Sequence, residues 1–541
     1  MSKKRRQAVN KEEETAVKLK PFLGMQPGFY LTVLYGIILI LILFLVLFVP
    51  GIAWHGSKIT FNSFPDDSAV YIDGAYTGST PFTVFVKSGG HLIEVKKPFY
   101  RVRKDDISVE GKIFASLFAP RKMEYSTELS LEEPDEYFAL LHREYNKWSL
   151  IDSFYPSYQP QPVLHDAVSG MLPLEDTRKR KELIGFLESC MAGTSNQVLL
   201  RDLLSSYALA VSNGRPLGPA GLIDLADRLI FYLEEYDYFP FWIVQMLPDQ
   251  IREIAFSTEW FEKEYQIYLD SLNREAGVPS VSGNTVTLGN TDFIPVSSGN
   301  YIRGFYGNRG LAIAPADILF FLENDALLPR YTSVDGFYCA ATEVTKSQFS
   351  AFLEENSRWK GENLDRLQEE NLVTEDYLKN WSELAPENPV VFISYFAAEA
   401  YCQWMESLLP SSLQGYHVRL PREHEWEWAA LSPGENAVFF GLNRSGPADV
   451  LNSGINNLGI YGLMGNVWEW CDNWFFPSDF LASSRDGGSN SLDIMYPGAE
   501  KAVRGGSWAN EEQEILASTR ASQPPSWCTP FLGFRPVLVK E

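Results

Sequence analysis

Glu469 is the side chain whose surroundings most demand an explanation. It stands in Gly459-Ile460-Tyr461-Gly462-Leu463-Met464-Gly465-Asn466-Val467-Trp468-Glu469-Trp470, between two indoles. A carboxylate buried among such rings needs a cation, a donor cluster or a metal ion to offset its desolvation. Glycine reaches positive φ without steric cost, so the three glycines of this tract predict a compact, turning loop, neither helix nor strand. Trp468 and Trp470 are large enough to pin such a loop to a core.

Other reactive side chains are sparse. Cys190, Cys339, Cys402, Cys471 and Cys528 are odd in number and contain no C-x-x-C pair. That excludes a zinc ribbon and a disulfide-dense scaffold. Cys402 lies on an apolar helix face and reads as a buried thiol. His142 and His165 stand alone, and His417 and His424 have no partner at metal-ligand spacing. No G-x-S-x-G elbow is present, which argues against a serine hydrolase.

The elements that must position these residues follow from composition and pattern. A length of 541 residues suggests three or four domains, and an apolar fraction of 45% is ample for several cores. A net charge of −23 argues against a nucleic-acid binder, which would carry a basic footprint. Residues 1–28 are the exception, with seven Lys/Arg against three Glu, a local +4. Phe29–Val49 follows, 21 residues without a charge, closed by Pro50-Gly51. At 1.5 Å per residue it spans a hydrocarbon core of roughly 30 Å. Its length and the absence of a small-residue cleavage site argue against a cleaved signal peptide. With the basic end held in the cytoplasm, a single-pass membrane anchor would leave everything after Trp54 extracytoplasmic.

Residues 58–131 read as a small β domain, with strands at Lys58–Phe64, Ala69–Ile72, Thr83–Val86 and His91–Lys96. Asp73-Gly74 and Tyr76–Pro81 read as turns. The order Pro65, Ala69–Gly74, Gly78-x-Thr80-Pro81, Gly90-His91, Glu94-Val95 and Tyr100 resembles a PEGA domain. That resemblance implies an extracytoplasmic spacer or surface-interaction module. Over 135–276 the period changes to 3.6: Leu199, Leu200, Leu203, Leu204, Tyr207 and Val211 share one helical face, as do Leu222, Leu225, Ala226, Leu229, Ile230 and Leu233. We read this region as a helical bundle or spacer.

From 286 to 541 the punctuation changes again. Thr345 and Gln348 have the spacing of a capping box, with Phe349, Phe352 and Leu353 as the buried face behind it. Ser394 is an N-cap, and Phe396, Ala400, Tyr401, Trp404 and Leu408 fall on one side of the next helix. Six landmarks occur in order: Glu343-Val344-Thr345 with Gln348-Phe349, Asn388-Pro389-Val390 with Ile393-Ser394, Arg419-Leu420-Pro421 with Glu423 and Glu425-Trp426-Glu427, Gly465–Trp470, Arg504–Trp508, and Gly533-Phe534-Arg535. Together they resemble the formylglycine-generating enzyme (sulfatase-modifying factor) family. The resemblance implies an irregular domain related to the C-type-lectin-like fold. The fold class expected for the chain is α+β and multidomain: transmembrane helix, β-sandwich-like PEGA module, helical spacer, lectin-like head.

The resemblance also implies chemistry that these residues do not supply. The family's enzymes use copper and dioxygen to convert a sulfatase cysteine to formylglycine, and thiolates select Cu(I). Those two positions hold Asn510 and Ile515 here, so copper is not expected. Ser507 matches a family active-site serine but lacks the thiolate pair. The iron-dependent relatives need clustered histidines that this domain lacks. A family calcium site would draw on the carbonyls of Gly465 and Val467 and on Glu469, with Gly462 supplying no side-chain oxygen. Calcium takes six to eight oxygens, so this site is one ligand short. The candidate cleft comprises Ser507, Trp508, Asn510 and Arg504, and its face is expected to be partly open. The leading expectation is a membrane-anchored, non-catalytic head that binds a protein, glycan or cell-wall ligand or scaffolds the envelope. The alternatives are an enzyme of altered mechanism, which would gather Cys471, Cys528 and Ser507, and a glycan-binding module using the many Trp and Tyr side chains.

Overall fold

The computed structural model describes residues 20–116, 118–150, 162–194, 197–215, 253, 257–303, 330–432, 434, 438–439, 446–476, 496–511 and 514–540. The second helical stripe expected at Leu222–Leu233 lies outside them. The chain divides into two compact units, Met1–Pro134 and Asp135–Glu541.

In the first unit, helix α1 (Pro27–Ala53) is long and apolar enough to cross a membrane, with mean hydropathy 3.1 over its best window. Seven strands follow: β1 (Gly56–Phe64), β2 (Ala69–Ile72), β3 (Ala75–Ser79), β4 (Phe82–Lys87), β5 (Gly89–Lys96), β6 (Arg103–Val109) and β7 (Arg121–Glu128). They form two sheets, β4-β1-β7 and β3-β2-β5-β6, around buried Ile59, Phe61, Val70, Ile93 and Val95. Alternation along β1 turns Ile59 and Phe61 inward and leaves Lys58 outside. Asp73 and Gly74 both have positive φ, 51° and 81°, the requirement of a two-residue hairpin turn whose twist matches its strands. The turn expected over Tyr76–Pro81 is instead largely strand β3, paired with β2.

The second unit opens with helices α2 (Pro134–Leu150), α3 (Val163–Ser169), α4 (Thr177–Ser189), α5 (Gln197–Ser212) and α6 (Glu259–Leu272). Leu199, Leu200, Leu203 and Tyr207 are buried on α5 as the 3.6 periodicity predicts. Asp202 on α5 accepts from the backbone N–H groups of Leu164 and His165, capping α3. The helices do not stand apart as a spacer. Buried Asn146 on α2 accepts from Ala499 N at 2.7 Å, and Tyr496 lies edge-on to Phe138 and Phe186. His142 is buried there, its ring nitrogens 3.2 and 3.4 Å from the carbonyls of Pro497 and Ser189.

The head contains β8 (Val286–Leu288), β9 (Thr291–Val296), β10 (Gly299–Arg303), β11 (Arg330–Val334), β12 (Phe337–Ala340), α7 (Lys346–Glu355), α8 (Leu364–Glu369), α9 (Tyr395–Ser407), β13 (Tyr416–Arg419), α10 (Glu423–Ala430), β14 (Val438–Phe439), β15 (Met464–Gly465), β16 (Trp468–Trp474), β17 (Lys501–Arg504), β18 (Arg520–Gln523), β19 (Leu532–Gly533) and β20 (Val537–Lys540). Its main sheets run β13-β20-β12-β9-β8 and β18-β17-β16-β19. The glycine tract is therefore only half a loop. Gly459, Gly462, Gly465 and Asn466 turn the chain at positive φ, after which Trp468 starts an inner strand. Its alternating aromatic side chains suit a pleated, buried surface.

Local signals for the helices held. Thr345 Oγ1 accepts from Gln348 N, and Gln348 Oε1 accepts from Thr345 N at 2.8 Å. Ser394 caps α9 through Ala397 N, and Phe349, Phe352 and Leu353 are buried. On α9 the deepest face is Tyr395, Ala398, Tyr401, Cys402 and Met405. Of the face expected there, Phe396, Ala400 and Trp404 are half-buried and Leu408 is exposed. The helix is apolar on two sides, and the side with small Ala398 and Cys402 is the more deeply buried. Thr345→Ala should lower head stability by about 1 kcal/mol in denaturant titration while Thr345→Ser stays near wild type; equal losses in both would show that the cap does not contribute.

Candidate functional site

Strand β16 delivers Glu469 into the interior, where it meets an internal cation. Arg535 donates from Nε to both carboxylate oxygens at 3.1 and 3.0 Å and from Nη2 to Oε1 at 2.8 Å. Trp426 Nε1 donates to the other oxygen at 2.8 Å. Arg535 also donates to the carbonyls of Ala340 and Tyr461, at 2.8 and 2.7 Å. Arg535 and Glu469 are both fully buried. Burial alone would lower the Arg535 pKa, but Glu469 outweighs it and holds the guanidinium firmly charged. Of the three groups considered for a possible calcium ion, Gly465, Val467 and Glu469, the one carboxylate is already paired with Arg535. Among the described residues no group of three or more His, Cys, Asp or Glu is arranged to hold a metal.

A second carboxylate sits where the family site would have its missing ligand. A Cβ added at Gly462 would fall 2.3 Å from Glu343 Oε1, so glycine there is required both by its φ of 67° and by this close approach. Glu343 Oε1 accepts from Asn466 Nδ2 at 2.9 Å. Its other oxygen has no hydrogen-bond partner and lies 3.9 Å from Arg535 Nη2. Full burial pushes the Glu343 carboxyl up to about 8, with Arg535 opposing and Glu469 adding to the rise.

Helix α10 carries a second buried ion network. Glu423 and Glu427, four residues apart, share one face. Arg520 binds Glu423 with both limbs of its guanidinium, at 2.9 and 2.7 Å. Arg504 donates to Glu427 at 2.5 Å and to the carbonyls of Ala517 and Ser518. Arg303 lies 3.5 Å from Glu423 and 3.7 Å from Glu427. Burial would raise the Glu423 carboxyl, but Arg520, Arg303 and Arg504 overcome it and hold the group down at about 2. Trp426 joins the two networks, giving its N–H to Glu469 while the Arg504 guanidinium lies 5.4 Å from its ring centre. A third pair, Arg419 with Glu425, is bidentate at 2.8 and 2.7 Å.

The expected cleft is filled at its centre. Arg504 and Ser507 are buried, while Trp508 and Asn510 are partly exposed. Asn510 Oδ1 accepts from Ser507 N at 3.0 Å, Ser507 Oγ at 2.9 Å and Trp468 Nε1 at 3.1 Å. Ile515 is buried, and its Cγ1 would lie 2.9 Å from a Cβ at Gly506. Amide and aliphatic side chains therefore occupy the two positions where copper chemistry would need thiolates. The opening nearby lies beside Trp468, Val503, Gln523 and Phe531, with a volume of about 160 Å³. A larger groove, about 430 Å³, lies elsewhere on the head against Leu353, Lys360, Tyr377, Leu378 and Trp381.

The cysteines do not assemble either. All five are buried and unpaired by disulfide, and Cys471 and Cys528 belong to different core clusters. Burial raises every thiol pKa, that of Cys528 to about 11. The thiol and serine cluster required by an altered redox mechanism is not formed.

Residues 282–540 match the sulfatase-modifying factor enzyme 1-like domain, and residues 57–118 match the PEGA domain. The chain thus carries one domain of each family. It is similar over nearly its whole length to an uncharacterized protein of Borreliella burgdorferi, 23% identical with 97% of each chain covered. It is also similar to a formylglycine-generating enzyme of Streptomyces coelicolor, 29% identical over 28% of this chain and 52% of that one. An inactive Cα-formylglycine-generating enzyme 2 of mouse is 29% identical over 28% of this chain and 48% of its own. The chain spans about half the length of these last two relatives.

Reading the sequence missed the pairing of Glu469 with Arg535, and missed Glu343, Arg303, Glu427 and Arg520 as partners in the buried networks. The available signal was charge complementarity: several landmarks carry an Arg or a Glu in an otherwise apolar setting. Arg535→Met should destabilise the head by about 3–5 kcal/mol in denaturant titration, because it leaves Glu469 buried without its cation; a loss below 1 kcal/mol would dismiss the pair as a support. Glu343 gives a pH test. A carboxyl that keeps its proton when folded and sheds it when unfolded makes the native state hold the extra proton. Its contribution is therefore complete below the unfolded value of 4.5 and is lost as pH rises through about 8. The melting temperature of Glu343→Gln should gain on wild type between pH 5 and 8; a constant difference would contradict this.

Proposed function

We propose that this chain is a membrane-anchored, extracytoplasmic binding or envelope-scaffold protein whose head works without the family's oxidation chemistry. The observation that carries the reading is Asn510 bound to Ser507 and Trp468, with Ile515 buried beside them. An amide and an aliphatic chain stand where soft sulfur ligands would have to be. The resemblance to a relative named as inactive, alongside one named as an enzyme, is consistent with a fold that serves both ends.

In this reading α1 is the anchor, with the basic residues before it cytoplasmic and both folded units outside. The head recognises a protein, glycan or cell-wall ligand. The groove at Trp381, Tyr377 and Leu378, with Lys360 and Glu354 beside it, offers a concave surface of mixed aromatic and charged character for recognition. The lectin-like relationship of the fold belongs to the same proposal. The purified full-length chain, given copper, dioxygen and a sulfatase-type cysteine peptide, should yield no aldehyde product by mass spectrometry. Conversion above a copper-only control would overturn the non-catalytic reading and return the head to the oxidases.

A further inference from the structure

The loop between β6 and β7 presents apolar side chains that no part of the β module requires. Ile113, Phe114 and Phe118 are 47%, 54% and 68% exposed, although six consecutive positions contain all three. Single exposed apolar residues are ordinary, but a contiguous set on a small domain marks an interaction surface.

Where the loop sits identifies what it meets. Its backbone packs directly on the last turns of α1. Ala115 N donates to Leu47 O at 2.7 Å. This bond falls in the last two turns of the helix, close to Pro50. Gly51 makes the approach feasible, since a Cβ there would lie 2.0 Å from Ile113 O. The Phe114 ring meets Phe48 edge-on at 5.3 Å, and Phe48 stacks on Phe44 at 5.0 Å. The aromatic row of the apolar helix thus continues without a break onto the loop. The loop closes on itself through Ala119 N to Ala115 O at 3.0 Å and Lys112 Nζ to Ala119 O at 3.1 Å. Exposed Lys112, Arg121 and Lys122 flank it, and Trp54 is 64% exposed at the helix end. Cationic side chains and tryptophan beside an apolar tip are the residue types that settle at a bilayer interface.

We propose that Ile113, Phe114 and Phe118 insert into the same leaflet as the C-terminal end of α1, giving the β module a second membrane contact beside its covalent tether. The inference rests on the reading of α1 as a membrane helix. The bilayer is the occupant because the loop is held at the level of Leu47–Gly51, residues of the apolar helix itself. A module so held lies on the lipid surface in one orientation and does not swing on a single span.

The test is spin-label accessibility on the full chain in phosphatidylcholine vesicles, with the buried native cysteines as background. Labels go on Ile113→Cys and Phe118→Cys, on Leu39→Cys inside α1, and on Asp365→Cys, an exposed position of the head. Oxygen should relax the labels at 113, 118 and 39 more than a water-soluble nickel chelate does, with the reverse order at 365. If 113 and 118 favour nickel while 39 favours oxygen, the insertion is wrong and the anchor stands. If 39 also favours nickel, the anchor reading itself fails. Labels at 113 and 118 shielded from both reagents would mean that protein, such as a second copy, covers the loop, and would overturn the proposal.

Discussion

The head depends on one buried contact, the guanidinium of Arg535 against the carboxylate of Glu469. Taking two such groups out of water is costly, and only close geometry with every remaining donor occupied repays it. Here the repayment is complete: Arg535 also satisfies the carbonyls of Ala340 and Tyr461, and Trp426 satisfies Glu469. One side chain thereby ties β12, the glycine turn and β16 together. Among the described residues the head has short helices and small sheets, of two, five, two and four strands. Directional ion pairs add definition, and the network around Glu423 and Glu427 repeats the principle on the other face of Trp426.

The same economy shapes what the head can do. Arg535 meets Glu469, and Asn510 and Ile515 pack around Ser507 and Gly506. For the scaffold role proposed above, an interior held by its own ion pairs would keep the outer surfaces in fixed relation.

Legibility in the sequence followed range. Features set by neighbours a few residues apart were readable: the Thr345–Gln348 box, the Ser394 cap, the Asp73-Gly74 hairpin turn and the apolar face of α5. The landmark order pointed to the domain. What could not be read was which charge meets which, because Glu469 and Arg535 are separated by 66 residues and Glu427 and Arg504 by 77. The glycines of the opening tract announced a turn correctly, yet the strand that follows owes its place to β17 and β19. The hydrogen bonds at the candidate cleft were equally out of reach, because Trp468 and Ser507 converge on the amide oxygen of Asn510 from different segments.

The sheet order β13-β20-β12-β9-β8 carries a consequence for how the molecule comes into being. Residues 537–540 lie between strands made far earlier, so that sheet cannot be joined until the chain through Lys540 is available. Arg535 comes from the same late segment. Until it arrives, Glu469 has no guanidinium to meet and stays in water, which keeps the central aromatic residues from closing over it. Long-range pairing of this kind slows folding. The joined sheet and the Arg535–Glu469 pair therefore both wait for residues 535–540.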